Sequence, residues 1–292
     1  MEPWKMPPGK VMKIEEYEIL DTIGAGTFAR VRLVKDKKGT YYALKMMKKG
    51  EILRLKQTDH VISEIKVMLS LDYPLIAKLY GFQQDERYLY LLQEYIPGGE
   101  LYSYLKSQGK LSVSSAMFYT AQIVLLLQYL HSKSIVYRDL KPENLLLASN
   151  GYLRLIDFGL AKFIKSRTFT HCGTPEYMAP EILLNKGYGF SVDWWGLGIL
   201  LYEMVSGVDP FKDDDPMQIY QQILKGKIRF IRGTDKYTKD LIKHFLVADV
   251  NTRYGCTEGG VETVKAHKFF AGMDFKKLAE EKIKASYIPP VM

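Results

Sequence analysis

Apolar and polar positions change their spacing along this chain, and the change divides it. Over residues 17–34 and 40–47, β-branched and aromatic residues dominate. They are broken by Gly-Ala-Gly at 24–26 and by a polar run at 35–40, where Gly39 suits a hairpin turn. This pattern predicts antiparallel strands. One helical stretch interrupts it: over 58–71, Val61, Ile65, Met68 and Leu69 fall at helical spacing and leave Glu64 facing another direction. Strands resume at 76–84 and 87–96, and Pro-Gly-Gly-Glu at 97–100 then breaks the chain. Beyond that break the spacing is helical. Residues 112–133 read as one long helix with serines available as caps, and 191–207 are apolar nearly all the way round, as in a helix buried on every side. The expected fold is α+β in two unequal lobes with a cleft between them: an extension over 1–16, a small strand-rich lobe over 17–96, a larger helical lobe over 97–270 and a tail over 271–292.

Composition narrows the class. With 292 residues, 47% hydrophobic and 25% charged, the chain can bury a sizeable core. The densest apolar run, 123–127, is bounded by Gln122 and Gln128, so no bilayer-spanning segment is expected. The first ten residues lack an apolar signal region, and Glu2 excludes the glycine that N-myristoylation needs. A soluble intracellular protein with no membrane partner is the expectation, cytoplasmic and also nuclear. Cys172 and Cys256 have neither a disulfide framework nor metal-ligand spacing and read as reduced thiols. The net charge of +8 raises nucleic acid as a partner. The basic runs at 35–38 and 45–49 instead read as solvated faces, and no zinc-knuckle or RNA-recognition signature accompanies them, so no nucleic-acid partner is expected.

Candidate chemistry lies in the order of the polar residues. Residues 24–31, Gly-Ala-Gly-Thr-Phe-Ala-Arg-Val, read either as a phosphate-cradling loop or as a plain turn, and Ala29 stands where a third glycine would be expected. Phosphoryl transfer requires a lid over the phosphates, a cation on them, ligands for magnesium and a carboxylate to orient the attacking hydroxyl. Lys45 follows the loop on a strand, and Glu64 on the first helix can pair with it. Asp139 and Asn144 stand close enough for one to face a substrate hydroxyl while the other binds a metal ion. Asp157 ends an apolar strand, where a charge calls for a partner such as magnesium.

Glycine loop, strand lysine, the run Tyr-Arg-Asp-Leu-Lys-Pro-Glu-Asn at 137–144, Asp-Phe-Gly at 157–159 and Ala-Pro-Glu at 179–181 stand in the order of a eukaryotic protein kinase. The resemblance covers roughly 17–270 and favours the phosphate loop over the turn. Residues 137–147, 167–183, 192–204, 216–230 and 266–278 are similar to the AGC group, most closely to catalytic subunits of cAMP-dependent protein kinase. The resemblance implies a serine/threonine kinase using ATP and Mg2+. It makes Asp139 the catalytic base, Lys141 the cation on the transferring phosphoryl group, Lys45 and Glu64 the phosphate-positioning pair, and Asn144 and Asp157 the magnesium ligands. Gly24, Gly26, Phe28, Val31, Ala43, Gln93 and Leu146 would line the nucleotide site, with the backbone at Glu94 and Ile96 receiving adenine. Thr170 matches an activation-loop phosphosite served by Arg138, Lys162 and His60. Glu100, Glu143 and Glu203 match groove glutamates that pair with arginines upstream of the target serine, and His171, Pro175 and Met178 match the subsite for the residue after it. Met68, Leu79, Tyr137 and Phe158 match a stack linking the lobes with Asp193 at its base, Glu181 and Arg253 a buried ion pair, and Trp194 and Trp195 the core. The implied partners are arginine-bearing protein or peptide substrates and a cyclic-nucleotide-binding regulatory subunit.

Three departures qualify the resemblance. His171 replaces an apolar residue, which weakens the expectation of a large apolar residue after the phosphoacceptor and of tight regulatory-subunit binding. Gln93 is polar at the back of the adenine pocket, where it could hydrogen-bond. The sequence ends at Met292, before the tail segments that such kinases wrap round the small lobe, so 271–292 reads as the start of a shortened tail. Other AGC kinases, of the cGMP- or phosphoinositide-dependent type, are the alternative, and a catalytically silent scaffold is a further one. Retention of Lys45, Asp139, Asn144 and Asp157 together argues against the scaffold.

Overall fold

A computed structural model of the chain describes residues 7–9, 11–26 and 29–290. Strands β1 (Tyr17–Ala25), β2 (Ala29–Asp36), β3 (Tyr41–Lys48), β4 (Leu79–Gln84) and β5 (Tyr88–Glu94) form one antiparallel sheet in the order β1-β2-β3-β5-β4. The expected turn joins β2 to β3, with Gly39 at φ +88° and Asp36 N–H donating to Thr40 O at 2.9 Å. The two-residue alternation of the strands sorts their side chains by face. Val34, Leu44, Tyr90 and Leu92 pack with Met12 on one face. Met47, Leu89 and Leu91 pack on the other, against Val61 and Ile65 of helix α2 (Thr58–Leu69). Lys45, two residues from Met47, therefore points toward α2.

Two local readings differ from the sequence expectation. A short helix α1 (Lys49–Arg54) follows β3, anchored by Ile52 as its one buried residue, too little apolar pattern to be read in advance. The strand expected from residue 76 begins at Leu79, because the backbone just before it joins the large lobe instead: Ala77 N donates to Leu155 O at 3.0 Å, and Leu155 N to Leu75 O at 2.8 Å.

The large lobe holds α3 (Leu101–Gln108), α4 (Val113–Ser132), α5 (Pro180–Leu183), α6 (Ser191–Ser206), α7 (Pro216–Lys225), α8 (Lys236–Phe245), α9 (Gly260–Lys265) and α10 (Phe275–Ala279). Two short antiparallel pairs accompany them, β6 (Ile135–Val136) with β9 (Lys162–Phe163) and β7 (Leu145–Leu147) with β8 (Leu153–Leu155). The Ser112 hydroxyl caps α4 by accepting from Ser115 N at 3.1 Å. Every residue of α6 from Ser191 to Val205 except Glu203 is buried. Gly198 lets α8 come close: a Cβ there would lie 2.7 Å from Phe245 Cβ. By length and composition α4 could cross a bilayer, contrary to the reading of its interrupted apolar run. In this fold 72% of its apolar window is buried, and Gln122 donates to Phe118 O and accepts from Leu153 N. Arg253, 0% exposed, forms two contacts with Glu181, at 2.6 and 2.9 Å, as the sequence led us to expect.

After α10 the chain climbs along the large lobe toward the segment joining the lobes. Tyr152 Oη donates to Ile283 O at 2.7 Å, and Tyr287 stacks on Tyr104 with ring centroids 4.0 Å apart. Gly151 makes this path possible, because at φ +79° any Cβ would sit 2.2 Å from Tyr287 O.

Candidate active site

Between the lobes lies a cleft of about 610 Å3 lined by Gly24, Gly26, Val31, Lys45, Glu64, Glu100, Asp139, Lys141, Glu143, Asn144 and Asp157 among others. Most of the chemistry-bearing residues picked from the sequence thus meet in one space. β3 aims Lys45 at α2, where its Nζ is 2.7 Å from Glu64 Oε1 and 3.9 Å from Asp157 Oδ1. Burial opposes the charge on Lys45, but Glu64 and Asp157 outweigh it and hold the ammonium pKa above its ordinary value. Burial pushes the Glu64 carboxyl up, and Lys45 pulls it back.

The second group grows from the segment between β6 and β7. Asn144 Nδ2 donates to Asp139 O at 2.8 Å and to Asp139 Oδ2 at 2.9 Å, which leaves Asn144 Oδ1 for a cation. Lys141 Nζ stands 3.1 Å from the same Oδ2, and Thr174 Oγ1 donates to Asp139 Oδ1 at 3.1 Å while accepting from Lys141. Thr174 was not singled out in the sequence, because it reaches Asp139 only through the fold. Two non-glycine residues here adopt positive φ, Arg138 at +72° and Asp157 at +56°. Buried Asp193 fastens the first of these, accepting from Tyr137 N at 3.0 Å and Arg138 N at 2.8 Å, with His131 Nε2 at 2.8 Å. Tyr137 and Phe158 meet edge to face, their centroids 5.6 Å apart. Asp157, its side chain half exposed, and Asn144 offer oxygen donors across the cleft from Lys45, a hard-donor set suited to Mg2+.

At the glycine loop, Gly26 N donates to Ala29 O at 2.8 Å, and Ala29 is a β2 residue paired with Met47, so it adopts a strand conformation open to alanine. Among the described residues, a Cβ at Gly24 or Gly26 would meet nothing closer than 3.5 Å. Phe28 lies outside the described residues. Ala43 pairs with Gln93 across β3 and β5. Gln93 Nε2 reaches Met68 Sδ of α2 at 3.5 Å, Ile96 is buried, and Leu146 bridges to Glu100.

The acids of the groove crowd one another. Glu203 on α6 accepts from Tyr177 Oη, yet burial pushes its carboxyl up to about 7, with Asp209, Glu143 and Glu176 adding to the rise. Burial and then Glu176 raise Asp209, an acid not picked from the sequence, and burial and then Glu143 raise Glu100. Glu143 Oε2 is buried and has no hydrogen-bond partner among the described residues. His171 is exposed and Met178 buried, and Pro175 opens a short helical turn that ends at Tyr177. The cations expected around Thr170 are held elsewhere. Arg138 Nε donates to Leu160 O at 2.6 Å and Nη1 reaches Tyr188 Oη at 3.3 Å. Lys162 donates to Thr168 Oγ1, 3.4 Å from the Thr170 hydroxyl, and His60 pairs with Gln57. With Thr170 unphosphorylated, Lys162 thus reaches the Thr170 hydroxyl through Thr168, and Arg138 reaches the Thr170 carbonyl through Tyr188.

The protein kinase domain family matches residues 17–270. The chain belongs to that family. The kinase is 48% identical over 286 residues to the human cAMP-dependent protein kinase catalytic subunit PRKX, covering 98% of this chain and 80% of that one. It is 46% identical over 280 residues to the cAMP-dependent protein kinase catalytic subunit of Dictyostelium discoideum, covering 96% of this chain and 43% of that one. It is 40% identical over 279 residues to the cAMP-dependent protein kinase type 3 of Saccharomyces cerevisiae, covering 95% of this chain and 70% of that one. A sheet-built small lobe over a helical large lobe is therefore the bilobal kinase fold, and the enzyme is a serine/threonine protein kinase that resembles the cAMP-dependent catalytic subunits.

Proposed function

We propose that this kinase phosphorylates serine or threonine preceded by arginines, with Asp139 accepting the hydroxyl proton as the γ-phosphoryl of ATP is transferred. Lys141, 3.1 Å from Asp139, faces the same reacting centre, and Lys45, oriented by Glu64, holds the α and β phosphates. Mg2+ held by Asn144 and Asp157 would neutralise charge on the phosphates. The backbone at Glu94 and Ile96 receives the adenine, as the family resemblance implies. Phosphate on Thr170 would draw in Arg138 and Lys162, each linked to Thr170 through one side chain, Tyr188 and Thr168 respectively.

The observation that carries the substrate choice is the groove itself. Glu143 holds a buried oxygen with no partner among the described residues, and Glu203 is pushed toward neutrality by burial beside three other acids. A guanidinium entering between them would satisfy the orphaned oxygen and relieve the crowding. Glu143→Gln is expected to raise KM for a peptide with arginines two and three residues before the serine by about tenfold or more. KM for a peptide with alanines there should stay unchanged. Equal KM for the arginine peptide in both proteins overturns the assignment. The named relatives support a regulatory subunit as partner, and the same assay reads it: added cyclic-nucleotide-binding subunit should inhibit transfer, and cAMP should restore it.

A further inference from the structure

Glu94, whose backbone is proposed to receive the adenine, has its side chain on the outer side of the joining segment, among charges that the transfer chemistry does not use. Its N–H donates to Lys78 O at 2.8 Å and its Oε2 accepts from Lys78 N at 3.2 Å, which fastens it to the small lobe. Its Oε1 lies 3.7 Å from Arg154 Nε on β8, the strand that leads into Asp157. Arg154 is itself held from below: Nη1 donates to Leu153 O at 3.0 Å and to Glu281 Oε1 at 2.8 Å. Glu281 sits at φ +54°, in the left-handed region, and its Oε2 accepts from Asn150 Nδ2 at 2.8 Å. The three side chains are 12%, 22% and 31% exposed for Arg154, Glu281 and Glu94, so the group is part-buried but still open to solvent on one side.

We propose that Arg154 is a positioning residue for the nucleotide site, with Glu281 of the tail as its anchor. The proposal rests on the adenine reading of Glu94 and Ile96. The guanidinium joins three parts of the chain that must stay in register for ATP to bind: the end of β5, the strand before Asp157 and the tail. Without it, Glu94 and Glu281 lose the cation they share, and the outward pull on Glu94 is lost. A cavity of about 230 Å3 lined by Asp72, Tyr73, Lys78, Glu94 and Arg154 opens beside the pair, so salt reaches it.

Steady-state kinetics with Arg154→Gln and Arg154→Lys at low and high salt test this. The parallel substrate is purine riboside triphosphate, which lacks the adenine amino group. At low salt, Arg154→Gln is expected to raise KM for ATP roughly two- to fivefold, the size a part-exposed pair supports, with kcat and peptide KM unchanged. Arg154→Lys should recover most of the loss, and high salt should bring wild type and variant together. An unchanged KM for ATP in Arg154→Gln, while wild type still prefers ATP to the purine triphosphate, overturns the role of Arg154 alone. A fall in kcat and melting temperature at unchanged KM also overturns it, in favour of a purely structural contact. Equal use of the two nucleotides by wild type overturns the adenine reading and this proposal with it.

Discussion

Glu203 carries a pH dependence that can be worked out from its surroundings. Burial raises its carboxyl to about 7, against the pull of the Tyr177 hydroxyl, so at pH 6 it is largely protonated and at pH 8 largely charged. Only the charged form pairs with a guanidinium. KM for the arginine peptide should therefore fall as pH rises from 6 to 8, and Glu203→Gln should flatten that dependence; a KM that rises with pH, or an unaltered profile in Glu203→Gln, contradicts it. Residues that act through their own type and spacing were legible in the sequence, and Lys45, Glu64, Asp139, Asn144 and Asp157 converge in the cleft. Thr174 and His131 were not, because one reaches Asp139 and the other Asp193 across the fold, with no local pattern to mark them.

Among the elements, the segment from β9 to the short turn at Pro175 shows where sequence pattern loses force. Its backbone is held by the Thr168–Tyr188 pair, at 2.9 Å in both directions, by Ile164 N–H donating to Ser134 O at 2.9 Å and by Tyr188 Oη donating to Thr170 O at 2.5 Å, and Phe169 beside it is exposed. Such a segment can be reordered by a local charge. Thr170→Ala is expected to lower kcat roughly tenfold or more relative to enzyme phosphorylated at Thr170, since charge-assisted hydrogen bonds to Arg138 and Lys162 could not form. Peptide assays on the two forms check this, and near wild-type kcat in the variant excludes the switch. The long periodic elements, α4 and α6, were readable because many buried residues repeat one signal. α1, with Ile52 as its one buried side chain, and the backbone at 75–77, which pairs with β8 rather than extending β4, depend on contacts distant in sequence.

At the scale of the whole molecule, two lobes built by different periodicities meet along a cleft whose floor and roof supply complementary chemistry. The roof brings Lys45 and Glu64 on β3 and α2, and the floor brings Asp139, Lys141, Asn144 and Asp157 on the segments around β6, β7 and β8. The acidic groove lies on the large lobe of a chain with net charge +8, so its field is local and opposite in sign to the total. That contrast is in line with the proposed basic peptide substrate. The most direct measurement is phosphoryl transfer from Mg-ATP to two serine peptides, one with arginines two and three residues before the serine and one with alanines in their place, with Asp157→Asn as the blank. Strong preference for the arginine peptide and loss of transfer in the blank are expected. Equal transfer to both peptides, or transfer that survives Asp157→Asn, would contradict that expectation.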